Sequence, residues 1–127
     1  MKKILITGAS GFIGQNLVSE LLQQEFSITI VSRKKSKLFD NDVDEVVVGD
    51  LCNNINWLSI LEKIDCVIHL AAKAHVMNKN NSSVFDNFRK INLDLTLNLA
   101  KHSAASKVKR FIFLSSIGVN GNQNNRP

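Results

Sequence analysis

The sequence contains no tyrosine, a single proline and a single tryptophan. A reaction that depends on a tyrosine hydroxyl therefore has no residue here to run it. The two cysteines, Cys52 and Cys66, share neither a CxxC nor a metal-ligand spacing. That argues against a disulfide framework and a zinc site, and for two reduced thiols in a cytoplasmic protein. No stretch approaches the ~18 apolar residues of a membrane span. No long apolar segment follows "MKK", so neither a signal peptide nor a membrane partner is expected. Acids are in the minority, 11 Asp and Glu against 16 Lys and Arg, for a formal charge of +5. The excess is partly local, in "RKKSK" from Arg33 and "KVKR" from Lys107. Those runs lack interleaved aromatics, and there is no helix-turn-helix or zinc pattern. A nucleic-acid partner is not expected; a phosphate-bearing small molecule fits the charge better.

What is present is an ordinary globular composition. At 127 residues, with 44% hydrophobic and 21% charged positions, the chain is one domain with apolar material enough for a core. Short apolar runs alternate with amphipathic stretches: "ILIT" (4–7), "SITIVS" (27–32), "EVVVGD" (45–50), "CVIHLA" (66–71) and "RFIFLSS" (110–116). These runs are β-branched and nearly continuous, as in strands covered on both faces. Between the first two, Ile13, Leu17, Val18, Leu21 and Leu22 recur at helical spacing. A short helix is expected over about 56–63. A long one is expected from about Ser82 to Ser106, capped by Asn81, Ser82 or Ser83. Its stripe is Phe85, Phe88, Ile91, Leu95 and Leu99, widened by Leu97, Ala100 and Ala104. Alternating strands and helices with right-handed crossovers predict an α/β doubly wound parallel sheet, a Rossmann fold, of five strands in the order 3-2-1-4-5. The polar tail "NGNQNNRP" has turn chemistry.

The stretch "TGASGFIG", Thr7 to Gly14, holds three glycines at intervals of three between the first strand and the first helix. A turn used only for packing would explain some of it. Its position favours a phosphate cradle. Gly8 begins the tight turn, Gly11 lets the backbone approach a pyrophosphate, and Gly14 lets helix and sheet approach. The first helical amides then point at the anion.

"TGASGFIG", "GDL" at the third strand, "HLAA" at the fourth and "SSIGVNG" after the fifth together resemble the extended short-chain dehydrogenases/reductases, in the NAD(P)-dependent epimerase/dehydratase family. The resemblance covers essentially the whole chain but only the N-terminal, cofactor-binding half of such an enzyme. It implies that residues 1–127 are a Rossmann domain without its substrate domain. By that resemblance Gly8, Gly11 and Gly14 face the pyrophosphate, with Phe12 and Ile13 over it. Asp50 and Leu51 contact the adenine. Ala71, Ala72 and Lys73 line the ribose and nicotinamide side. Asn92 is the family's asparagine inside the long helix, a poor interior residue for a helix. Ser116 is the active-site serine and Ser115 its neighbour. His69, in a strand, reads as a satisfied core histidine, and His102 as a surface residue of the long helix. His75 is a candidate substrate contact.

An NAD-selective site needs a carboxylate about 20 residues past the glycine turn. That position reads Ser32, Arg33, Lys34, Lys35, with no acid. Ser32 and Arg33 can bond a 2′-phosphate, which favours NADP. Arg33 can also stack on adenine, which keeps NAD as the alternative.

The family's chemistry uses a YxxxK pair on the helix after the fifth strand, and this chain has no tyrosine to fill it. The resemblance therefore implies the cofactor domain of a nucleotide-sugar epimerase, dehydratase or reductase working by hydride transfer, inactive by itself. The sugar-nucleotide substrate and a homodimer through the long helix belong to the same expectation. The rival is a non-catalytic dinucleotide-binding or assembly module.

Overall fold

The structure, a computed structural model, describes residues 1–51, 54–72, 86 and 88–115. Five parallel strands form one sheet in the order β3-β2-β1-β4-β5, the expected topology. They are β1 (Lys3–Thr7), β2 (Ser27–Ser32), β3 (Val43–Val47), β4 (Cys66–His69) and β5 (Arg110–Phe113). Among the described residues the helices with assigned bounds are α1 (Phe12–Gln23), α2 (Trp57–Leu61) and α3 (Leu95–Ala105). A π-helical turn, Lys90–Asp94, leads into α3.

Side chains alternate across each strand, so one β-rich run feeds two cores. Leu5, Val31 and Val67 join Trp57, Leu61, Ile64, Leu95 and Leu99 on the side of α2 and α3. Ile4, Ile6, Ile28, Ile30 and Ile68 join Ala9 and Val18 on the side of α1. Each buried Leu- or Ile-sized side chain contributes roughly 1.5–3 kcal/mol. Register follows from this, because a slip of one residue would turn the isoleucines to the other face. Ile4 stands opposite both Ile28 and Cys66. At the amino edge Asp65 ties three strands together. Its carboxylate accepts from the Lys3 amide at 3.0 Å and from Lys109 Nζ at 3.1 Å, while its carbonyl accepts from the Lys109 amide at 2.8 Å.

Several expected boundaries move. β3 lies at 43–47 and not at 45–50, because Val43 pairs with Ile28 and Gly49, at φ 74°, turns the chain out of the sheet. β4 and β5 stop at His69 and Phe113. α2 is shorter than expected, and Asn56 caps it by accepting from the Ser59 amide at 3.3 Å. In the long helix Leu95 and Leu99 are buried as expected. Leu97, 49% exposed, and the exposed Ala104 do not widen the buried stripe. Residues 81–83 and Phe85 lie outside the described residues, as do Cys52 and the tail. Ile13, expected on the buried face of α1, lies in the first turn of that helix and is 52% exposed.

Candidate functional site

The carboxyl ends of the strands gather the residues singled out in the sequence. After Thr7 the chain turns at Gly8, whose φ is 74° and whose carbonyl accepts from the Gly11 amide at 3.2 Å. The three glycines have different reasons to be glycine. A Cβ at Gly8 would stand 2.6 Å from the Ala71 nitrogen, so β4's exit packs directly on the turn. A Cβ at Gly14 would collide with the Gly8 carbonyl and lie 2.7 Å from the Ala9 Cα. At Gly11 a Cβ would meet only the Gly8 carbonyl at 3.5 Å, an ordinary contact, and the backbone is extended at φ −72°. Packing explains Gly8 and Gly14 and leaves Gly11 unexplained. Gly11 is also the N-cap of α1 and offers the first-turn amides no side-chain acceptor. Phe12, 86% exposed, and Ile13 stand beside that opening. An anion placed there meets bare amides, the positive end of a 12-residue helix and no internal competitor.

At the end of β2, Ser32 is half-buried and Arg33 exposed. The Ser32 hydroxyl donates to Glu45 Oε1 at 2.6 Å. The same carboxylate accepts from the Ser36 amide at 2.9 and 3.1 Å, pinning the basic loop to β3. Past β3, Gly49 takes a left-handed φ that glycine adopts without strain. It carries the chain to exposed Asp50 and to Leu51, which packs against the α2–α3 core.

Past β4, Ala71 is half-buried and Ala72 exposed. With His69, Leu70, Asn92, Thr96, Phe113 and Leu114 they line a small cavity of about 80 Å³. Asn92 lies in the π-turn, the kind of helical irregularity that recurs at functional sites. Ser115 is exposed one residue beyond the cavity wall. Lys73, His75 and Ser116 lie outside the described residues.

His69 is the core histidine the sequence suggested, with no solvent exposure. Its ring stacks on Phe113 at 5.9 Å. Nδ1 lies 2.6 Å from Thr7 Oγ1 and Nε2 2.8 Å from Thr96 Oγ1. The Thr96 hydroxyl donates to the Asn92 carbonyl at 3.2 Å, so it accepts the proton of Nε2. Nδ1 is then the bare nitrogen, and Thr7 donates to it while accepting from the Ala71 amide at 3.2 Å. One neutral tautomer thus joins the end of β1, the exit of β4 and the π-turn. Burial pushes the His69 pKa down to about 4, keeping the ring uncharged. Thr7, Thr96 and Glu45 were not singled out in the sequence. The two threonines read as strand and helix residues, and Glu45 comes to Ser32 only through the β2–β3 register.

A strand, a glycine turn with room over its middle glycine and a helix start without a side-chain cap meet at the point where strand order reverses, the arrangement in which open α/β sheets receive anionic ligands. The family model that matches residues 4–127 is the NAD dependent epimerase/dehydratase family. The chain belongs to that family. Its relatives there include the UDP-glucose 4-epimerase of Vibrio cholerae, 40% identical over 121 residues, a match covering 94% of this chain and 36% of that protein. A 3-beta-hydroxysteroid dehydrogenase of Mycolicibacterium neoaurum is 31% identical, over 92% of this chain and 32% of that protein. Among solved structures, MoeE5 in complex with UDP-glucose and NAD superposes with a TM-score of 0.80 at 31% identity, over 96% of this chain and 39% of that one. The chain therefore spans about a third of the length of the relatives it matches. Among the described residues no helix is long and apolar enough to cross a membrane, and no group of three His, Cys, Asp or Glu could hold a metal ion.

Proposed function

We propose that the chain is the nicotinamide-dinucleotide-binding part of an enzyme that epimerises, dehydrates or reduces a nucleotide-linked sugar. Gly11 carries the cofactor half of this reading: it is the glycine of the turn for which the fold has no use, and its open side is where a pyrophosphate would pass. The amides at the start of α1 would hold the phosphates between Gly8 and Gly14, with Phe12 and Ile13 over them. Asp50 and Leu51 would bond the adenine. Ala71, Ala72 and Lys73 would line the ribose and nicotinamide side against the wall that Asn92 helps to form. Ser115 would lie against the cofactor, and Ser116 would bond the substrate's hydroxyl or carbonyl. The bound dinucleotide would supply the hydride acceptor and donor. Arg33, exposed, is free in direction to reach a 2′-phosphate or to stack on adenine, which admits NADP and NAD alike.

The nucleotide-sugar half rests on the 40% identity to a UDP-glucose 4-epimerase and on the likeness to MoeE5 with UDP-glucose. With no tyrosine to exchange a proton with the sugar, the 127 residues are expected to bind the dinucleotide without turning a sugar over. The alternative reading is a non-catalytic dinucleotide-binding or assembly module. An in-frame YxxxK in the gene beyond Pro127 would decide for the enzyme. Self-association through the long helix belongs to the first reading.

The test is thermal. NAD or NADP at a hundred times its dissociation constant should stabilise the chain by about 2.7 kcal/mol. Gly11→Val should leave the chain folded, with a modest loss of ligand-free melting temperature from the poorer N-cap, and should lose the ligand shift. A folded chain whose melting neither cofactor moves would refute the cradle.

A further inference from the structure

We infer that Glu45 is the acid that selects the cofactor here, supplied from β3, and that it makes the site prefer NAD. The inference rests on the dinucleotide reading above and deepens it. The case for NADP was the lack of a carboxylate at the end of β2, with Ser32 and Arg33 offered as donors to a 2′-phosphate. The fold changes both parts of that case.

A carboxylate does stand at the end of β2. Glu45 pairs in register with Ile30, two residues before Ser32, so both side chains rise on the α1 face of the sheet. Its Oε1 lies 2.6 Å from Ser32 Oγ. The charge that other dinucleotide folds place on β2 itself is thus delivered from the neighbouring strand to the Ser32 hydroxyl, and Ser32 follows the Val31 that pairs with Thr7, the residue before Gly8. Moreover, the Ser32 hydroxyl has one proton, and it already goes to Glu45. To donate to a 2′-phosphate it would have to abandon that acceptor and set two anions against each other. A ribose 2′-hydroxyl makes the opposite demand: it can donate to the carboxylate, which has lone pairs to spare.

Glu45 is held where it acts. The Ser36 amide grips both carboxylate oxygens, at 2.9 and 3.1 Å, so the acid cannot swing away without releasing the loop that carries Arg33. Arg33 then serves either cofactor by stacking on the adenine.

The experiment compares NAD and NADP binding to the 127-residue chain, by calorimetry or melting shift, in the wild type and in Glu45→Gln and Glu45→Asp. Glutamine keeps an oxygen for the Ser36 amide and removes the charge. The wild type should bind NAD more tightly. Glu45→Gln should raise the NADP-to-NAD affinity ratio about tenfold or more, the scale of a like-charge contact at a protein surface, and Glu45→Asp should keep the preference for NAD. Adding Arg33→Ala to Glu45→Gln should weaken both cofactors together. A wild type that prefers NADP overturns the inference whatever the variants do. So does a ratio unmoved by Glu45→Gln, or one moved equally by Glu45→Asp, which would assign the effect to loop shape. Binding of neither cofactor to any of these proteins would instead remove the dinucleotide reading itself, an outcome distinct from equal binding of both.

Discussion

His69 shows how much a single buried side chain can fix and how little of that a sequence displays. "HLAA" placed a histidine at the end of a buried strand, and burial followed from the apolar residues around it. Its partners did not, because Thr7 and Thr96 are 62 and 27 residues away and meet it only through strand order and helix placement. The glycines of the turn were legible for the converse reason: their spacing is local, and a left-handed φ at Gly8 needs no distant partner. Neutral His69 also makes a prediction about pH. Its folded pKa, lowered by burial to about 4, lies below the ordinary 6.5, so between those values the unfolded chain binds more protons than the folded one. The stability this gives is complete above pH 6.5 and is lost as pH falls toward 4. Asp65, lowered first by its bond from the Lys3 amide and then by Lys109, loses its contribution only below the usual carboxylate range. Denaturant melts between pH 7 and pH 4.5 should therefore show a loss on the order of 2 kcal/mol. In His69→Gln, less stable at neutral pH, most of that slope should vanish. An unchanged slope in the variant would place the titrating group elsewhere.

Among the elements, those with strong local signals were placed within a residue or so, and those that depend on neighbours slipped. β2 is where its apolar run predicted. β3 is an edge strand among the described residues: the run "EVVVGD" placed it over 45–50, whereas pairing with β2 begins at Val43 and ends at Val47. Glu45 lay inside the expected run, but its contact with Ser32 comes from the β2–β3 register, which no local pattern displays. The end of α1 holds a feature that no apolar pattern announces. Gln24 is its C-cap, the Phe26 amide donates to the Leu21 carbonyl and the Glu25 amide to the Leu22 carbonyl, both at 3.3 Å. This is a Schellman ending, whose left-handed position usually carries glycine. Here it carries Glu25, at φ 61°. A residue with a Cβ pays roughly 1–2 kcal/mol in that region, and glycine returns roughly 0.5–1 of it through the freedom it loses on folding. Glu25→Gly should thus stabilise the chain by about 0.5–1 kcal/mol and raise the melting temperature without touching the carboxyl edge of the sheet. A lower melting temperature would mean that the Glu25 side chain holds more than its backbone strain costs.

For the molecule as a whole, topology was legible because five apolar runs separated by helical stretches leave few un-knotted, right-handed arrangements. Surface was not legible, since it depends on which helix covers which strand. Among the described residues, two of the exposed apolar regions bear on assembly. On β5 and just past it, Ile112, Phe113 and Leu114 are 41%, 50% and 48% exposed, and among the described residues β5 pairs with β4 alone. On the helical side Leu93 and Leu97, four residues apart, are 43% and 49% exposed. A strand with one unpaired edge and bulky apolar side chains is a template for another strand, and an apolar helical strip is a seat for another helix. The 127-residue chain is therefore expected to self-associate at tens of micromolar, through one of these two surfaces. Light scattering gives the mass, and two substitutions separate the modes. Ile112→Lys puts a charge on the strand edge and should yield monomer if strands pair. Leu97→Lys should do so if the long helix is the contact, as the nucleotide-sugar reading expects. A wild-type chain that stays monomeric would mean that both surfaces are already covered within one chain, and the homodimer would fall with that result.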